Sequence, residues 1–206
     1  MRQLRNWLWL LLFGSLWGIS EVIFGEVLAR ESIPYASVWL SAWALLVLGL
    51  ARGVLNKAGT STIIGAVAAL FKLVNTAPFF CHLLGIFCLG LVFDIITSIV
   101  MKNERKVSYR ASLSGILSAY GSFTLFALVM TYIIRYEFWV SGGLAKVMNH
   151  IFMSGSLTAL TAVILVPLGF WAGIRGSTAG ESRPRWACTG IFTVSVILWA
   201  LGRIAG

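Results

Sequence analysis

Long apolar runs separated by short basic links govern what this chain can fold into. Crossing roughly 30 Å of hydrocarbon takes about 20 mainly apolar residues in a helix. Seven segments read as candidates: 6–29, 35–54, 60–77, 79–101, 111–134, 148–173 and 186–204. Turn-forming residues divide them, with Pro34 before the second, Gly59-Thr60-Ser61 before the third and Asn75 to Pro78 after it. Gly142-Gly143 precedes the sixth and Gly180 to Pro184 the seventh. In lipid, every backbone polar group must be satisfied inside the protein, and a helix does this within one segment. The expected fold class is therefore all-α: a polytopic transmembrane helix bundle forming one integral membrane domain over 1–206. It has seven helices if 60–77 crosses fully, and six if that short segment, which carries Lys72, lies tilted or half-buried.

Composition agrees. Of the 206 residues, 59% are hydrophobic and only 11% charged, against roughly 25% charged in a soluble domain. A formal charge of +9 raises the question of nucleic acid. The basic residues, however, sit mostly in links between apolar runs, which suits lipid headgroups and no nucleic acid. The beginning, Met1 to Arg5 followed by Trp7 to Phe13, has the look of a signal peptide. No Ala-x-Ala-like site follows and the apolar run continues to Ala29, so it reads as a retained first span. Cys81, Cys88 and Cys188 form no disulfide framework.

Positive charge sets the expected orientation. With the N-terminus in the cytoplasm, the inner links hold Arg2, Arg5, Arg52, Lys57, the basic stretch Lys102 to Arg110, Arg175, Arg183 and Arg185. The outer segments then hold only Arg30, Arg135, Lys146 and Arg203. The expected location is the cell membrane, crossed several times, N-terminus inside.

Ionisable residues at membrane depth are costly and usually face the bundle interior. Here they are Glu21, Glu26, Lys72, His82 and Asp94. The first four fall toward the outer ends of their helices, on the side that also holds Arg135, Glu137, Asn149 and His150; Asp94 lies toward the inner half. A polar cavity opening outward is expected, with Glu26 and His82 equally able to reach the headgroup region. At 100° per residue, Gly14, Gly18, Glu21 and Gly25 share an arc of roughly 60°, and Ser61, Gly65, Ala69, Lys72 and Thr76 one of about 80°. Such faces let another backbone come close. Glu21 and Lys72 also lie at similar depth, about 21 and 18 Å from the cytoplasmic ends at 1.5 Å per residue. They are expected to form an ion pair, directly or across a substrate. Cys81, His82 and Cys88 raise the possibility of a metal, but two histidines and no zinc-site spacing argue against one. Most tryptophans fall near span ends, as an interfacial belt requires, while Trp17 and Trp43 lie deeper. No phosphate loop, paired-histidine zinc helix or serine–histidine arrangement is present, so no catalytic residues and no cofactor are expected.

A small hydrophobic chain with the steps Gly14-x-x-x-Gly18 and Ser61-x-x-x-Gly65-x-x-x-Ala69 resembles the substrate-binding S-components of energy-coupling-factor transporters. The stretch Cys81-His82-Leu83-Leu84-Gly85 is similar to the His-Leu-Leu-Gly stretch of the family's cobalt/nickel branch. That branch holds metal through an N-terminal Met-His, whereas this chain begins Met1-Arg2. The likeness covers mainly residues 10–101. It implies a small-solute-binding subunit of an uptake transporter, not an enzyme. The small residues Gly14, Gly18, Ser61, Gly65 and Ala69 would dock a transmembrane coupling subunit associated with ATPases. Glu21, Lys72, Asn75, His82, Asn149 and His150 would contact the solute. Two other classes stay open: an accessory or assembly subunit of a larger membrane complex, and an intramembrane enzyme using Glu21, Asp94 or His82.

Overall fold

A computed structural model describes residues 2–73, 80–102, 106–180 and 184–205. They form eight α-helices: α1 (Arg2–Arg30), α2 (Ala36–Leu55), α3 (Thr60–Lys72), α4 (Phe80–Val100), α5 (Tyr109–Leu128), α6 (Glu137–Asn149), α7 (Gly155–Gly180) and α8 (Pro184–Ala205). A π turn, Val129–Ile133, prolongs α5, and a second, His150–Ser154, joins α6 to α7. The result is seven rods, with no strand among the described residues. Five are long and apolar enough to cross a membrane: Gln3–Leu28, Ala36–Leu55, Phe80–Val100, Tyr109–Ile133 and Glu137–Ser177. The last outruns the segment expected from sequence, because α6, whose charged residues are Glu137 and Lys146, runs on into the apolar helix. A break at Gly143, with φ 57° and ψ −158°, sets its first turns apart from the rest.

Close backbone approach organises the bundle. A Cβ placed on Gly14 would lie 2.6 Å from the Val67 side chain, and one on Gly18 would run into the Phe71 ring. These contacts align α1 and α3 in parallel. Gly65 of α3 sits against Gly90 of α4, a Cβ there reaching 3.1 Å from the Gly90 Cα. The extensive α2–α7 contact is built the same way: Gly49 meets the Val166 carbonyl, Gly53 that of Phe170, Gly169 that of Leu46 and Gly173 that of Leu50. Residue numbers rise together across α1/α3 and α2/α7, and in opposite senses across α3/α4 and α5/α7. Chain direction therefore reverses at every link. The first turn of α1, the α2–α3 link and the end of α7 share one end of the bundle, and 31–35, Lys72 and 134–136 lie toward the other.

Gly14, Gly18, Ser61, Gly65 and Ala69, expected to dock a partner, are all buried within the chain, and Gly14, Gly18 and Gly65 serve contacts between α1, α3 and α4.

At the N-terminal end, α3 has no side-chain cap of its own. Asp94 of α4 supplies one: its carboxylate accepts from the backbone N–H of Gly59 (2.9 Å) and Thr62 (2.9 Å), and from the Thr62 hydroxyl (3.0 Å). Arg52 of α2 lies 3.7 Å from the same carboxylate and donates to the Lys57 carbonyl at 2.7 Å. Both side chains are almost fully buried. The isolated inner charge seen in the sequence is thus half of a buried ion pair that fixes where α3 begins.

Candidate solute-binding pocket

At the opposite end, six rods open around a cavity of about 270 Å³. From α1 it takes Trp17, Glu21 and Gly25; from the first turns of α2, Ser37, Leu40 and Ser41; from α3, Lys72. From α4 come Cys81, His82, Gly85, Ile86 and Leu89, from α5 Ser122, Phe123 and Phe126, and from the π turn after α6, His150. The lining is largely apolar with a few polar groups converging on it, the usual make-up of a small-molecule site.

Glu21 and Lys72 do meet, although not as an ion pair. The Lys72 amine donates to the Glu21 backbone carbonyl at 2.8 Å, and the Glu21 Oε1 accepts from the Trp17 indole N–H at 3.0 Å. The salt bridges among the described residues are Arg30–Glu26 and Arg52–Asp94, so a direct Glu21–Lys72 bridge is absent. The reason is geometric. A helix carbonyl has a second lone pair, and Gly25, one turn on, leaves room beside it: a Cβ on Gly25 would stand 3.4 Å from the Lys72 Nζ. The ammonium therefore drops onto the backbone, while the Glu21 side chain turns toward Trp17. Both residues are buried, at 7% and 5% exposure, yet both line the cavity.

His150 opens the π turn and packs among rings. Its centroid lies 4.8 Å from Phe123, 5.0 Å from Trp139 and 5.7 Å from Phe126. A π turn inserts an extra residue and re-aims the side chains beyond it; such turns are frequent at functional sites. Lys146, one turn before, donates to the Phe138 carbonyl at 2.9 Å and lies over the Phe138 ring.

Of the six residues expected to contact a solute, Glu21, Lys72, His82 and His150 line this one cavity. Asn149 does not: it is exposed, turned about 100° around the helix from His150. Asn75 lies outside the described residues. Glu26 leaves the cavity and pairs with Arg30 at 3.0 Å, both side chains well exposed. Among the described residues, no three His, Cys, Asp or Glu side chains come together to hold a metal; Cys81 and His82 share the cavity lining and Cys88 does not. Trp43 donates to Ser20 at 2.6 Å instead of entering the cavity. Sequence reasoning passed over Ser37, Ser41, Ser122, Phe123 and Phe126. Ser37 and Ser41 are one turn apart just after Pro34, a spacing that marks one polar edge on α2. Phe123 and Phe126 carried no signal to set them apart from core residues. No protein-family model, curated protein or solved structure matches the chain.

Proposed function

We propose that the protein binds a small solute in this pocket, as the substrate-binding membrane subunit of an uptake transporter. The observation that carries the reading is convergence: Glu21, Lys72, His82 and His150, from four different rods, line a single cavity. Ionisable side chains at membrane depth are expensive and usually serve substrate or ion pathways. A pocket of about 270 Å³ suits a small molecule. Acid and amine side chains on opposing helices suit one that both donates and accepts hydrogen bonds, or a zwitterion, with Trp17, Phe123 and Phe126 against its apolar part. The charge bias of the links supports an N-terminus in the cytoplasm and hence a pocket facing outward. Movement of the solute would draw on separate coupling and ATPase subunits. Their docking face would lie on the outer apolar surface of the bundle, since the small-residue steps are used internally.

The test is a ligand screen by thermal unfolding of the purified protein, repeated with Glu21→Gln and Lys72→Met. A ligand at 100 times its Kd adds about 2.7 kcal/mol to the native state, which raises Tm by roughly 5–10 °C in a chain of this size. Both substitutions are expected to remove that rise. Stabilisation that survives both would place binding elsewhere. Co-purification with an ATPase would support the transport role, and a stable complex lacking one would replace it with an accessory role.

A further inference from the structure

The two charges in the pocket are neighbours and yet unpaired, and the way they are kept apart gives the pocket a direction. Long side chains on a helix lean toward its N-terminus. Glu21 does so: its Oε1 meets the indole N–H of Trp17, one turn earlier on α1, at 3.0 Å. A helix carbonyl points the other way, toward the C-terminus. Lys72 reaches that side, its Nζ 2.8 Å from the Glu21 carbonyl oxygen and 3.4 Å from where a Cβ on Gly25 would stand. Along α1 the carboxylate therefore lies on the inner side of residue 21, and the ammonium on the outer side, nearer the 31–35 link. The first turns of α2 face the ammonium across Gly25. The same Cβ position is 4.0 Å from the Leu40 Cδ1, and Ser37 and Ser41 of those turns line the cavity.

Neither charge has spent its capacity. An ammonium has three donors and a carboxylate about four acceptor sites. Among the described residues, Lys72 uses one donor and Glu21 one acceptor oxygen, and both side chains line the cavity. A buried charge without its counter-charge is strongly destabilising, so the ligand that suits this pocket is one that answers both. An uncharged molecule answers neither. A singly charged one leaves the other protein charge uncompensated. A zwitterion pairs with both and adds no net charge to the bundle interior.

We infer that the pocket takes a small zwitterion of the amino-acid kind, an ammonium at one end and a carboxylate at the other, and holds it lengthwise along α1. The inference rests on the cavity being a solute site and adds to it the ligand's charge and orientation. The ligand's ammonium lies innermost, against the Glu21 carboxylate beside Trp17. Its carboxylate lies outermost, accepting from the Lys72 ammonium and the hydroxyls of Ser37 and Ser41. Phe123 and Phe126 meet the carbon skeleton between the two ends. The volume, about 270 Å³, falls below the roughly 300–1,000 Å³ of drug-sized sites, which keeps that skeleton short.

Cys81 reports occupancy because it lines the cavity, and Cys188 is the reference because it does not. The purified protein is titrated with glycine, β-alanine, γ-aminobutyrate and 5-aminopentanoate. Each is compared with the amine and the acid left when its other charged end is replaced by methyl. Labelling of Cys81 by a small methanethiosulfonate reagent is followed by peptide mass spectrometry. At least one zwitterion is expected to shield Cys81 at concentrations about tenfold or more below those its amine and its acid require, the worth of a hydrogen bond to a charged group. Lys72→Met should raise the zwitterion's midpoint to that of its amine, and Glu21→Gln to that of its acid. The converse pattern would overturn the orientation. Shielding no better by any zwitterion than by its amine or acid would overturn the inference, and the parent protein alone decides this if either variant fails to fold. Shielding by singly charged or uncharged compounds alone would likewise overturn it while leaving the pocket in place. A ligand that raises Tm yet never shields Cys81 would remove the pocket itself.

Discussion

Asp94 accepts the two backbone N–H groups that begin α3 and also faces the buried Arg52 guanidinium. Removing its carboxylate therefore does two kinds of damage. Asp94→Ala leaves α3 uncapped and Arg52 buried without its counter-charge, a loss of about 3–5 kcal/mol. Asp94→Asn keeps one carbonyl oxygen for the α3 N–H groups but also removes the Arg52 counter-charge, and is expected to lose about 3 kcal/mol, the lower end of the same range. Thermal or denaturant unfolding of the two variants beside the parent measures both; equal stability of Asp94→Ala and the parent would show that the pair carries no weight. At this scale the sequence was half legible. Depth arithmetic brought Glu21 and Lys72 to one level, and both line one cavity. It could not tell a carboxylate from a backbone carbonyl as the lysine's acceptor, because that choice turns on the space Gly25 leaves. Arg52 read as a link residue, since its partner is 42 positions away and only the crossing of α2 and α4 brings them together.

Helix contacts made through glycine separate positions that look alike in sequence. Gly173 and Gly176 both lie in α7, within one turn of each other. A Cβ on Gly173 would strike the Leu50 carbonyl and come within 2.9 Å of the Gly53 Cα, whereas one on Gly176 meets nothing within 4 Å. Backbone cannot swing aside as a flexible side chain can, so Gly173→Ala must push α2 and α7 apart. The expected loss is about 1–3 kcal/mol. Gly176→Ala relieves only a helix-propensity penalty and is expected to stabilise by up to about 1 kcal/mol. Opposite shifts in Tm are the expected result, and similar shifts would refute the close α2–α7 contact. Small-residue spacing in the sequence announced close approach in α1 and α3 but could not name the partner. Gly14 and Gly18 turned out to receive Val67 and Phe71 of the same chain. The same spacing suits an external partner equally well, so the pattern alone could not separate the two.

The outline of the bundle was legible because lipid leaves the backbone few choices: each expected span has a helix, but five are long and apolar enough to cross, α3 ends at Lys72 after 13 residues, and the sixth rod starts earlier than expected. There the helix begins at Glu137 and is interrupted by Gly143 and a π turn, neither of which hydropathy registers. Sidedness is the property that belongs to the whole molecule. The alternating rods gather Arg5, Arg52, Lys57, Lys102 and Arg175 at one end, and the pocket opens at the other. Basic residues in short links are retained on the cytoplasmic side, so the pocket is expected to face outward. Glu31→Cys and Lys57→Cys probe the two ends, since both positions are exposed and lie in links on opposite sides of α2. A membrane-impermeant maleimide applied to intact cells should label Glu31→Cys and leave Lys57→Cys unlabelled until the membrane is opened, with labelling of the parent subtracted for Cys81. The reverse pattern would turn the pocket toward the cytoplasm and convert the proposed uptake subunit into a protein that takes its solute from inside. Labelling of both positions in intact cells would contradict a bundle whose chain direction reverses across α2.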